Sequence, residues 1–249
     1  MKQHNTLKLA AAFLVAAVTG AQAQVISWNL DSNGTIGGAS QYAGVVLANN
    51  WNNSWPSNPT TDLIDNSGTA TTLDLAYGSW GTWSIQGSHP GPDANGSYNK
   101  ELLNGYLNAG PAGWNPPITD SHVSLSQIPY AQYDIYVYFS SDAADRPGHV
   151  TDGTTSYFFN TLGAPSIAGA DALLIQTTET SNANHPGANY AVFSGLSGAS
   201  KTITVQMEQN DLWGGIAGFQ VVAVPEPNTL ALGAISLMIV GASRRSRQS

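Results

Sequence analysis

The sequence predicts an all-β protein, a jelly roll or β-sandwich with one short helix, flanked by an N-terminal signal helix and a short C-terminal transmembrane helix. Three observations predict it. Many short segments alternate apolar and polar side chains, the period of a half-buried strand. The chain holds 26 glycines and only 10% charged residues, so turn chemistry is plentiful and the long charged side chains of surface helices are scarce. Both ends, by contrast, carry unbroken apolar runs with basic residues beside them.

The strands follow in order. Residues 25–28 open the domain with Val25, Ile26 and Trp28. Residues 42–48 carry Val45, Val46 and Leu47. Residues 70–77 set Leu73, Leu75 and Tyr77 against polar neighbours, and 81–86 alternate Trp83 with Ile85, which places Trp83 in the core. Residues 122–128 carry Val123, Leu125 and Ile128. The clearest strand is 133–140, YDIYVYFS, with Tyr133, Ile135, Val137 and Phe139 on one face and Asp134, Tyr136, Tyr138 and Ser140 on the other. Further strands are expected at 155–160, 172–177, 190–194, 201–208 and 216–224. One helix is expected at 99–108, where Leu102, Leu103, Tyr106 and Leu107 share a face, Asn99 caps the start and Gly110 ends it. Residues 87–96, 109–117 and 181–187 are loops by composition, and no internal repeat stands out.

The two ends are addresses. Lys2 and Lys8 precede the apolar run 9–18, and Ala21-Gln22-Ala23 is a small-residue cleavage signal, so residues 1–23 form a signal peptide. At the other end come Pro225-Glu226-Pro227, an uncharged apolar run from Leu230 to Ala242, and then Arg244, Arg245 and Arg247. Two prolines around a glutamate make an extended spacer. A run of about 14 residues rises roughly 20 Å, short of the ~30 Å hydrocarbon core, and suits a transient anchor. The arginines favour a cytoplasmic end.

Residues 224–249 closely resemble the PEP-CTERM sorting signal of Gram-negative bacteria, in which Pro-Glu-Pro, a short transmembrane helix and an Arg-rich end are read by an exosortase. The resemblance implies export by the secretion machinery, a passing membrane anchorage, processing near Pro225, Glu226 and Pro227, and an exopolysaccharide or biofilm setting at the cell envelope or outside it. It implies no activity.

Between the ends lies a body at 24–223. It holds three basic residues, Lys100, Arg146 and Lys201, against fifteen acidic ones (the chain's sixteen less Glu226), a net charge of −12. Such a body does not bind nucleic acid through phosphates. It contains no cysteine, which excludes thiol catalysis and Cys-based metal sites. A domain of this size buries enough surface to do without disulfides. Through the strand 133–139 and the closing GIAGFQVV at 215–222, the body also loosely resembles galactose-binding-like jelly-roll domains. The stretches Ala43-Gly44-Val45-Val46 and Asn50-Trp51-Asn52-Asn53 resemble segments of other PEP-CTERM proteins.

Catalytic signatures are sparse. There is no G-x-S-x-G elbow and no H-x-x-x-H or H-E-x-x-H spacing, and His89, His122, His149 and His185 are scattered. Of the body's glutamates, Glu101, Glu179 and Glu208, none stands in an acid/base context. Asp31-Ser32-Asn33-Gly34 and Asp65-Asn66-Ser67-Gly68 read as Asx turns. Asp142 and Asp145 offer oxygen ligands to a structural calcium, weighed against a solvated loop; galactose-binding-like domains often hold such an ion. Trp51, Trp55 and Trp114 stand in polar or Pro-rich loops and are candidates for stacking on sugar, weighed against burial in the core. The first reading is a non-enzymatic exported surface or matrix protein needing no cofactor and associated with exopolysaccharide. The alternatives are a carbohydrate-binding module with a loop aromatic site and, behind it, a polysaccharide-active enzyme.

Overall fold

The computed structural model describes residues 23–30, 34–54, 58–109, 120–208 and 213–225. Along them run β1 (Val25–Asn29), β2 (Asn52–Asn53), β3 (Asp74–Gly78), β4 (Gly81–Ser84), α1 (Asn99–Asn104), β5 (Gly105–Asn108), β6 (Asp120–Ser126) and β7 (Gln132–Ser140). There follow β8 (Ala144–Thr151), β9 (Ser156–Leu162), α2 (Pro165–Ala168), β10 (Tyr190–Ser197), β11 (Ser200–Met207) and β12 (Gly215–Ala223).

Two five-stranded sheets face each other, in the orders β10-β7-β12-β1-β2 and β3-β6-β11-β8-β9. The first is antiparallel except where the two-residue β2 joins β1 in parallel; the second is antiparallel throughout. From β6 to β12 the chain passes repeatedly from one sheet to the other, which is the jelly-roll manner of connection. β4 and β5 pair apart as a two-stranded ribbon.

The alternation along β7 explains the main core. Tyr133, Ile135, Val137 and Phe139 are all buried and meet Val123 and Leu125 of β6, Ile203 and Val205 of β11, and Phe159 of β9. Phe139 stacks on Phe159 with ring centroids 3.9 Å apart. Trp28 stacks on Phe219 at 5.6 Å and donates its indole N–H to Ser54 Oγ at 2.5 Å, so its one polar atom is satisfied inside. The outer side of the first sheet is covered too. Leu102 and Leu103 of α1, with Trp51, Tyr106, Tyr138 and Ala217, make a second cluster. β12 therefore lies between neighbours on both edges and both faces, which accounts for its unbroken apolar run.

Several expectations are corrected. The helix expected at 99–108 stops at Asn104, and a second, four-residue helix is present at α2. Tyr106 and Leu107 belong to β5, where pairing with β4 outweighs the helical spacing. Asn99 does not cap α1. Asp93, six residues earlier, accepts the backbone N–H groups of Asn99 (2.7 Å) and Lys100 (3.3 Å) instead. Residues 42–48 form a turn closed by Ala43 and Ala48, not a strand. Residues 172–177 make only an isolated bridge from Gln176 to Tyr190. β8 at Ala144–Thr151 is a strand not among those expected, and it takes in Asp145, which was weighed as part of a solvated loop. The second face of β7 is not wet: Tyr138 is fully buried and Tyr136 half-buried beneath the second cluster.

Among the described residues no helix is long and apolar enough to cross a membrane. The signal residue Ala21, the sorting residues Glu226, Pro227, Arg244, Arg245 and Arg247, and both expected terminal helices lie outside the described residues.

Candidate functional site

The β4–β5 ribbon builds one wall of a cleft. Its register sets Gly81 opposite Asn108 and Trp83 opposite Tyr106, and Trp80 N–H extends the ladder to the Asn108 carbonyl at 2.9 Å. Residues directly opposite share a face, so Trp83 and Tyr106 point the same way. Beyond Asn108 the ladder continues from Ala109 N–H to the Gly214 carbonyl at 2.9 Å, which ties the ribbon to the start of β12. The two backbones pass so closely that a Cβ at Gly215 would stand 1.8 Å from the Leu107 carbonyl oxygen. Glycine is the residue this crossing admits, and the crossing sets Trp213 beside the ribbon.

The opposite wall comes from the β7–β8 connection. Ala144 pairs with Leu162 and Pro147 with Asn160, so Asp145 and Arg146 together oppose Thr161 alone. This is a β-bulge, with Asp145 at a positive φ of 59°. The bulge aims Arg146 back at the end of β7. Its Nη1 donates to Asp142 Oδ1 (2.7 Å), Ser141 Oγ (3.0 Å) and the Trp213 carbonyl (2.7 Å). Ser141 Oγ donates to the same carbonyl at 2.7 Å. Trp213 is thus clamped by its own backbone, and Asp142 is held at the rim.

These pieces enclose a cleft of about 270 Å3 lined by Trp80, Trp83, Tyr106, Asn108, Asp142 and Trp213. Trp80 and Trp213 meet edge to face with centroids 4.9 Å apart and planes at 63°. Trp83 is 55% exposed and Trp80 40%, large apolar faces left open to solvent. Tyr106 lies at the bottom, fully buried, with its hydroxyl 3.4 Å from Asp142 Oδ1 and accepting the Asp142 N–H at 3.2 Å. Burial above all, with the nearby Asp142 charge adding to it, drives the Tyr106 phenol far above its ordinary value of 10.0, so it stays protonated. Asn108 is buried, and its side-chain oxygen has no hydrogen-bond partner among the described residues.

Of the expected site residues, the structure brings one into this cleft, Asp142. Trp51 is corrected to the core: it is 3% exposed, packs in the second cluster beside Tyr138, and donates its N–H to the Ala48 carbonyl at 2.8 Å. A ring covered in this way offers a sugar no face. Trp55 and Trp114 lie outside the described residues. Asp142 and Asp145, the candidate calcium ligands, stand on either side of the start of β8. The guanidinium of Arg146 already pairs with one oxygen of Asp142. Asp145 lies exposed at the bulge, and among the described residues no group of three His, Cys, Asp or Glu side chains is placed to hold an ion. Trp83, expected in the core, is the most exposed of the cleft's tryptophans. Trp80, Tyr106, Asn108 and Trp213 were not singled out for ligand contact. The one local signal is the close spacing of Trp80 and Trp83 among Gly, Ser and Thr, an aromatic pair on a ribbon that has one face outside the sandwich.

No protein-family model matches the chain, and no curated protein matches it. Among solved structures, the ANX2 ectodomain from Arabidopsis thaliana is similar at 10% identity and a TM-score of 0.44, covering 82% of this chain and 54% of that one. The plant receptor-like kinase ANX1 is similar at 12% identity and a TM-score of 0.43, covering 82% and 52%. The ANXUR1 extracellular domain from Arabidopsis thaliana gives 12% and 0.42 with the same coverage. The chain spans about half the length of these structures. The sandwich rests on its own strand pairing and draws nothing from them.

Proposed function

We propose that this protein is an exported, non-enzymatic glycan-binding domain that holds polysaccharide in the cleft between the β4–β5 ribbon and the β7–β8 bulge. The observation that carries the reading is the convergence of Trp80, Trp83, Tyr106 and Trp213 on one open cleft with Asp142 and Asn108 at its wall. Aromatic faces stack on the C–H surfaces of sugar rings, and carboxylate and amide oxygens accept from sugar hydroxyls. The volume of about 270 Å3 lies just under the ~300–1,000 Å3 usual for small-molecule sites, a size for a short piece of chain and not a large cofactor. Of the residues lining the cleft, one is a carboxylate, whereas glycoside hydrolysis uses two, which favours binding over cleavage.

The terminal segments supply the route. The signal-peptide pattern and the likeness of residues 224–249 to a PEP-CTERM signal support export, passing anchorage and exosortase processing, and an exopolysaccharide setting is where a sugar-stacking cleft has use. The test is binding of the purified protein to a panel of neutral, acidic and amino oligosaccharides, repeated with Trp83→Ala. Loss of one stacking face should weaken binding about tenfold, roughly 1.4 kcal/mol, with the melting temperature nearly unchanged because Trp83 is exposed. Absence of binding across the panel, or equal binding by Trp83→Ala, would sink the reading.

A further inference from the structure

We infer that the cleft selects a cationic sugar, a hexosamine residue with a free amine, over neutral and acidic ones; the inference rests on the glycan-binding reading above and deepens it. The electrostatics of the lining carry it. Four aromatic rings present π faces or edges to a small volume, and the negative face of an aromatic ring attracts an ammonium group, tryptophan most strongly. Among the described residues the lining includes one carboxylate, Asp142, whose side chain is 40% exposed at the rim, and no Lys or Arg.

The nearest cation does not reverse this. Arg146 lies behind Asp142 with its side chain 16% exposed, and its Nη1 is committed to Ser141 Oγ, Asp142 and the Trp213 carbonyl. It offsets part of the Asp142 charge, which leaves the rings a larger share of the attraction. The buried Asn108 side-chain oxygen has no hydrogen-bond partner among the described residues. An ammonium group brings N–H donors and no acceptor, the complement of a carboxylate and an amide oxygen. A uronate or sulfated sugar would instead bring an anion against Asp142, within a body of net charge −12.

The experiment is isothermal titration of the full protein, at mildly acidic pH, with four short oligomers: glucosamine, N-acetylglucosamine, glucose and galacturonate. The glucosamine oligomer should bind about tenfold more tightly than the neutral two, and the galacturonate oligomer most weakly. Asp142→Asn should narrow the preference for the amine, read as the ratio of glucosamine to glucose affinity. Trp83→Leu, which keeps apolar bulk at an exposed position but removes the π face, should narrow it as well, and this variant serves if Asp142→Asn fails to fold. Choline, which has the charge without the sugar ring, should compete poorly. If no oligomer binds, the glycan reading itself fails. If glucose and glucosamine oligomers bind alike, the glycan reading stands and the amine preference is overturned. It is likewise overturned if the preference survives both substitutions unchanged, since attraction would then come from the overall charge, or if choline binds as tightly as the amino oligomer.

Discussion

Asp65 shows how much one carboxylate holds in this chain. It is 1% exposed, and it accepts Ser67 N–H (2.9 Å), Ser67 Oγ–H (2.6 Å), Thr69 N–H (3.0 Å) and the Gln24 amide (2.8 Å). Burial alone would raise its pKa, but these donors outweigh burial and leave the carboxyl below its ordinary value of 3.8. Asp152 is lowered in the same way: burial raises it, and the N–H groups of Thr155 and Thr154 with Lys201 at 3.2 Å bring it down. A pKa lower in the folded than in the unfolded chain means that the native state prefers the ionised form. The stabilisation is full above about pH 4 and is lost as pH falls through the folded-state values. Asp65→Asn should therefore cost about 1–2 kcal/mol at neutral pH and shrink the loss of stability on acidification. Urea melts of both proteins across the acid range would check this, and parallel pH profiles would contradict it. The Asx turn at Asp65 was legible in the sequence, because Asp-Asn-Ser-Gly carries its chemistry locally. The cleft was not. Trp80, Tyr106, Asp142 and Trp213 come from four separate stretches of chain that the register of β4 on β5, the Ala109–Gly214 bridge and the β7–β8 connection bring together.

At the scale of the element, β7 and β12 position everything else. Val137 sits fully buried in the middle of β7. Val137→Asp places an unpaired charge there and should cost about 4 kcal/mol or more, enough to prevent folding. Tyr136→Ser on the other face should cost less, though not nothing, because Tyr136 packs against the second cluster and against a small group of Val25, Ala48 and Val222. Thermal melts and soluble yield of the two variants would check the order, and equal tolerance would show the register misread. At the head of β12, Gly215→Ala drives a Cβ into the Leu107 carbonyl and should cost about 2–3 kcal/mol or more while displacing the ribbon that carries Trp83. Reduced stability together with weakened oligosaccharide binding is the expected result, and a wild-type melting curve would refute the crossing. The strands that alternate cleanly were legible for a simple reason: one buried face imposes a period of two. β8 was hidden because Pro147 and Gly148 are residues that ordinarily interrupt strands, whereas here they follow a bulge inside one, with Asp145 at positive φ. Residues 172–177 misled in the opposite sense, since Leu173 and Ile175 alternate correctly yet lie 51% and 41% exposed, outside the pairing of either sheet.

At the scale of the whole molecule, a sandwich of two five-stranded sheets carries an aromatic cleft on an attached ribbon, and the chain leaves the end of β12 toward Pro225, with Val224 N–H still bound to the Gln132 carbonyl at 3.0 Å. If residues 224–249 act as a sorting signal, mass spectrometry of protein recovered from its native host should lack residues 230–249, and a host without the processing enzyme should retain them. Intact tail in the mature envelope fraction of the native host would contradict that expectation. The claim on which the rest depends is that the cleft receives a sugar. A crystal structure with a short amino-oligosaccharide tests it most directly. The account predicts a sugar ring stacked on Trp83 between the ribbon and Trp213, with donors to Asp142 and to the Asn108 side-chain oxygen; a cleft left without sugar at saturating oligomer, or a ring bound elsewhere on the sandwich, would contradict it.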